Sequence, residues 1–170
     1  MDSGGVTIIG STVVLFAAKD GAGVSLKPAS SSEGGIKLDV TLPPDGFDLE
    51  FYYTYRAGVT NASINVVLSS SNWGTLSSRT SVEVISTGDI FLFINGSMLK
   101  SVKVVAANGV RKRYTFRVSE TSLTVFIDGV VVLTHSYAAS SSVSGLAFSA
   151  WTSSVGSEFL IEDLTVSKVG

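Results

Sequence analysis

The chain contains no cysteine, which excludes disulfides and thiolate metal sites. It has one histidine, His135. That residue ends a strand pattern beside Ser136, so it reads as a surface side chain. A single imidazole cannot build a His-based metal centre, and a triad base has no other source here. Charge is scarce as well: 15% of residues are Asp, Glu, Lys or Arg, against about 25% in an average domain. The net charge of −2 argues against nucleic acid as a partner. No apolar run approaches the roughly 20 residues that span a bilayer. The longest, 6–18, is cut by Gly10-Ser11-Thr12 and lacks a basic flank, so it reads as two strands rather than a leader or an anchor. Helical periodicity is missing throughout.

Short β-patterns take its place. Lys112–Val118 alternates, Ser119-Glu120-Thr121 breaks it, and Leu123–Ile127 is followed by Asp128-Gly129 and Val130–Thr134. Asp-Gly between β-branched runs signals a type I′ hairpin, because both central residues need positive φ. The expected pairs are Ile127 with Val130, Phe126 with Val131, Val125 with Val132 and Thr124 with Leu133. Asn95-Gly96 marks a second tight hairpin, Asn108-Gly109 a looser turn, and Pro43-Pro44-Asp45-Gly46 a loop. The spacing predicts fourteen strands, at 6–9, 12–17, 23–27, 35–41, 47–56, 63–69, 81–85, 89–94, 98–105, 112–118, 122–127, 130–136, 144–150 and 158–168. With no internal repeat and no linker, 1–170 reads as one all-β domain, an antiparallel two-sheet sandwich.

Strand 47–56 carries Phe47, Leu49, Phe51, Tyr53 and Tyr55 on one face. Asp48, Glu50, Tyr52, Thr54 and Arg56 occupy the other, which makes one buried and one wet side. Hairpin 123–134 and strand 90–94 are apolar on both faces. A two-layer sandwich buries only one face, so these strands predict a further cover: a third layer, a long loop or another molecule.

The segments Tyr114–Val118, Leu123–Val131, Gly145–Trp151 and Phe159–Val166, in that order, resemble the closing strands of the concanavalin A-like jelly roll, the fold of legume lectins, laminin-G-like domains and several glucanases. Phe47–Tyr55 resembles that family's long central strand. The resemblance implies two curved antiparallel sheets, with ligand on a concave face or at loop edges. It also brings in calcium, which some members hold; with Asp89, Asn95 and Asn72 scattered over separate turns, no cofactor is expected, and calcium through oxygen ligands stays open as the alternative.

Glycoside hydrolysis is the enzymatic chemistry such a fold suggests. It needs two carboxylates flanking one bond. No Glu-x-Asp-x-x-Glu string is present: Asp48-Leu49-Glu50 is followed by Tyr53, and Asp163 points away from Glu158 and Glu162 on an ideal strand. These acids read as solvated, and the chain as noncatalytic. A cross-strand couple of Glu50 with Glu83 stays open.

The binding candidates are of two kinds. Trp73 in a loop, with the Asn72 amide beside it, and Trp151 at a strand end offer flat apolar surface for a sugar ring; alternatively each tryptophan plugs one open end of the sandwich. Arg111, Arg113 and Arg117 form a one-sided stripe, within a segment 100–117 that holds half of the twelve basic residues and no acid. The stripe fits an anionic glycan or headgroup, or alternatively an edge strand guarded by charge. Glu50 and Tyr52, on the wet face of 47–56, complete the set. The 28 serines and the tripeptides Asn61-Ala62-Ser63 and Asn95-Gly96-Ser97 suit an extracellular or virion surface. The expected function is a carbohydrate-binding recognition module that forms homo-oligomers, with a self-assembling subunit and a small glycoside hydrolase as alternatives.

Overall fold

The computed structural model describes residues 5–9, 13–18, 21–28, 33–56, 62–68, 80–104, 109–136, 145–153 and 156–169. Fourteen strands run through them: β1 (Gly5–Ile9), β2 (Val13–Ala18), β3 (Gly21–Leu26), β4 (Glu33–Asp39), β5 (Phe47–Arg56), β6 (Ala62–Val67) and β7 (Thr80–Ile85), then β8 (Ile90–Ile94), β9 (Ser97–Val102), β10 (Lys112–Val118), β11 (Ser122–Ile127), β12 (Val130–Ser136), β13 (Leu146–Thr152) and β14 (Glu158–Lys168). Each expected strand appears, displaced by a few residues at most. No described residue is helical.

The strands form two seven-stranded antiparallel sheets. Sheet A has the order β1-β4-β13-β6-β7-β8-β9, and sheet B the order β12-β11-β10-β5-β14-β3-β2. Alternation sends one set of side chains from each sheet into a shared core. From sheet B come Phe47, Leu49, Phe51, Tyr53 and Tyr55, with Tyr114, Phe116 and Val118. From sheet A come Ile36, Ile64, Val82, Leu92 and Phe148. The layers meet where the Phe51 ring stands edge-on to Phe148, 5.0 Å between centroids. Phe51 also stacks on Tyr114 and Phe116 within its own sheet, each at 5.8 Å. This is the concanavalin A-like jelly roll that the closing strands implied.

Both tight hairpins form with the expected turn. Asp128 and Gly129 have φ of 50° and 82°, and Asn95 and Gly96 have 50° and 78°. Pairing beyond the first hairpin differs from the expectation. Ile127 meets Val130 and Phe126 meets Val131, but then a bulge intervenes, and Val125 faces Leu133 while Thr124 faces Thr134. An unbulged ladder would aim Leu133 outward beside Thr124. The extra residue, Val132, turns Leu133 into the core instead, where it is 3% exposed.

The expected cover over the doubly apolar strands is partial. Phe126 lies under the guanidinium of Arg117, 5.5 Å from the ring centroid. Val130 and Val131 on β12, and Met98 and Leu99 on β9, remain exposed. These two edge strands lie side by side at one margin of the sandwich, joined by a hydrogen bond from Lys100 Nζ to the Thr134 carbonyl.

Candidate functional site

The outer faces of the two sheets point in opposite directions, and the sequence candidates divide between them. Sheet B carries Glu50, Tyr52, Arg111, Arg113 and Arg117. Sheet A carries Trp151. Asn72 and Trp73 lie outside the described residues. The Glu50–Glu83 couple is overturned: Glu50 is on the outer side of β5 in sheet B and Glu83 on the outer side of β7 in sheet A, with the core between them. The edge-strand reading of the arginines is overturned as well, since β10 is paired on both sides, with β11 and β5.

On sheet B the charges are largely matched. Arg117 stands in register with Asp48, to which its Nε and Nη2 donate at 2.9 and 2.8 Å. That bidentate bond, together with the nearby negative charge, raises the arginine's pKa. Thr115 Oγ1 donates to Glu50 at 3.2 Å. Arg111 lies flat on Tyr52, 3.6 Å from its ring centroid. Its Nη2 donates to Asp163 at 2.7 Å and its Nε to Glu162 at 3.4 Å. The alternation expected for the last strand put Asp163 on the opposite side from Glu162. A bulge between Glu162 and Thr165, with a φ of 52° at Asp163, brings both acids to Arg111. At the far end, Glu158 accepts from Ser25 at 2.6 Å and lies 3.7 Å from both Lys27 and Arg56. Of the three arginines in the stripe, Arg113 alone has no ion pair among the described residues. The stripe is therefore mostly a ladder of cross-strand pairs, which leaves little positive charge for an anionic ligand.

Sheet A presents a different surface. One row crosses it transversely: Gly35 on β4, Ser149 on β13, Asn65 on β6, Glu83 on β7 and Phe91 on β8 are successive register partners. The next row places Lys37, which is exposed, beside Ala147, Val67, Ser81 and Phe93 in turn. On the other flank Trp151 faces Ser63, which faces Ile85. The centre of this face is built of small side chains, and Ser63, Asn65, Ser81, Ala147 and Ser149 are buried. Ser81 Oγ is shielded, with no hydrogen-bond partner among the described residues. Larger groups flank this floor. Trp151 stands on one side, with Glu83, Phe91 and Phe93 on the other, all half-buried. The two phenyl rings are 6.5 Å apart. From β13 to β8 is three strand spacings, about 14 Å. The floor between is closed, with Ser81 and Ser149 0% exposed, so the accessible groups of this face are the half-buried Trp151, Glu83, Phe91 and Phe93.

Gly35 permits this packing. A Cβ built there falls 2.0 Å from the Phe148 carbonyl oxygen, so the close approach of β4 to β13 excludes any side chain.

Sequence reasoning named Trp151, more as a plug of the sandwich end than as a ligand contact, and did not name the residues beside it. Phe91 and Phe93 were readable as the outward half of a doubly apolar strand. Asn65 and Ser149 alternate with inward Ile64 and Phe148, yet nothing in the sequence says that β6 and β13 are adjacent. For calcium, Asp89 and Asn95 lie at opposite ends of β8, and no group of three His, Cys, Asp or Glu among the described residues could hold a metal ion.

The whole is similar to solved structures of the concanavalin A-like class. One is the carbohydrate binding module CBM66 from Bacillus subtilis, with TM-score 0.68 and 12% identity, covering 96% of each chain. Another is the potassium-bound carbohydrate recognition domain of Emp46p, with TM-score 0.74 and 13% identity over 95% of this chain and 88% of that one. A third is the apo Crh5 transglycosylase, with TM-score 0.67 and 14% identity over 97% and 79%. No family model matches the sequence, and no curated protein matches it. At these identities the likeness establishes the fold and leaves the residues of the site to the chemistry of this chain.

Proposed function

We propose that this protein is a noncatalytic carbohydrate-binding module and that glycan lies across the outer face of sheet A. One observation carries the reading: half-buried Trp151, Glu83, Phe91 and Phe93 flank a closed floor of small side chains on one sheet face. Aromatic faces stack on the apolar faces of sugar rings, while a carboxylate accepts hydrogen bonds from the hydroxyls. Two structural neighbours, a carbohydrate binding module and a carbohydrate recognition domain, support it. Binding without cleavage is favoured because Glu83 has no second carboxylate beside it on β13, β6, β7 or β8, and hydrolysis of the usual kind needs two. Such a role suits an extracellular or surface setting. A glycan array probed with the full chain and with Trp151→Ala tests this. Binding to a defined set of glycans, lost in the variant, supports it; an array with no binding removes it.

A second reading is self-assembly. Exposed Met98, Leu99, Val130 and Val131 on the two edge strands favour it. Light scattering that shows a monomer at high concentration would end it.

A further inference from the structure

On the outer side of β13, β6, β7 and β8, Glu83 is the only ionisable side chain. No ion pair neutralises it among the described residues. Its register neighbours are Asn65 and Phe91, so a ligand laid over it displaces water from a carboxylate flanked by an amide and a phenyl ring. The arginines that would welcome an anion belong to the other sheet and face the opposite way, and Arg111 and Arg117 are held by acids of their own.

We infer that Glu83 sets the charge class of the ligand. Neutral and amine-bearing glycans bind, and uronate, sialylated or sulfated glycans are turned away. The inference rests on the glycan-binding reading of this face. Its physics is simple. An ionised carboxylate only accepts hydrogen bonds, so sugar hydroxyls satisfy it and a glycan ammonium pairs with it. A carboxylate or sulfate on the ligand brings like charge into a site where water is displaced and screening is weak. The described lysine in register on this face, Lys37 beside Ala147, is three strand spacings from the strand of Glu83, about 14 Å. The arginines of sheet B lie on the far side of the core, so no described cation beside Glu83 offsets that repulsion.

The test compares the full chain with Glu83→Gln on an array that prints neutral glycans beside their glucosamine and glucuronate analogues. For the unmodified chain, acidic analogues should bind about tenfold or more weakly than their neutral parents. Glu83→Gln should narrow that ratio several-fold, with an unchanged melting temperature. Raising salt on the unmodified chain should narrow it too. Equal binding of acidic and neutral partners, or a ratio unmoved by both the substitution and salt, would overturn the role of Glu83 and leave glycan binding standing. Silence across all three charge classes would remove both.

Discussion

Arg117 and Asp48 face each other across β10 and β5, and the guanidinium grips both carboxylate oxygens, at 2.9 and 2.8 Å. This pair, which stands where the sequence offered an anion-binding stripe, is half exposed on its arginine side. Exposed pairs contribute little. A double-mutant cycle with Asp48→Ala and Arg117→Ala, read by urea denaturation, should give a coupling below about 1 kcal/mol that shrinks as salt rises. A coupling above about 2 kcal/mol would mean that the outer face of sheet B carries more of the stability than its exposure implies.

The bulge at Val132 makes a sharper claim. Leu133→Ala should cost about 3 kcal/mol, since a buried leucine is removed and a cavity left. Val131→Thr, two positions away on an exposed site, should stay within about 0.5 kcal/mol. Both are read from denaturant midpoints. Reversed costs would restore the unbulged register, with Leu133 in the solvent.

Gly35 tests the contact beneath the outer face of sheet A. Gly35→Ala should lower stability by about 2 kcal/mol or more, because β4 and β13 must part to admit the new Cβ. A thermal melt shows this directly. An unchanged melting temperature would contradict the close approach of the two strands.

Alkaline stability follows from two buried phenols. Burial raises the pKa of Tyr114 to about 12, aided by Asp128, and burial raises that of Tyr53 well above the usual phenol range, aided by Tyr114. In the unfolded chain both ionise near pH 10. Between the unfolded and folded values the native state holds more protons, so stability falls as pH rises. It should be constant below about pH 9 on this account and decline from about pH 10 to 12. Denaturation midpoints against pH, with phenolate absorbance recorded in parallel, check it. Full ionisation of these phenols at pH 10 in the folded protein would contradict the buried placement.

Much of the fold could be read from local chemistry. Asp128-Gly129 and Asn95-Gly96 demand left-handed backbone, and the alternation of Phe47 through Tyr55 separates core from solvent. Both signals act over a few residues. What escaped needed longer range. The bulge that turns Leu133 inward, and the one that brings Asp163 to Arg111, depend on what the neighbouring strand offers. The division of Glu50 and Glu83 between opposite faces depends on which sheet each strand joins. Trp151 was visible as a candidate, but Ser149, Asn65, Glu83 and Phe91 become one row only when β13, β6, β7 and β8 lie side by side.

The account's central claim is that ligand meets sheet A. Calorimetric titration of a glycan selected on the array, into Trp151→Ala and Phe91→Ala on one face and Arg113→Ala on the other, tests it most directly. The first two should weaken binding at least about tenfold, and the third should leave it within about twofold. Full affinity in both aromatic variants with loss in Arg113→Ala would place the ligand on sheet B and contradict the account.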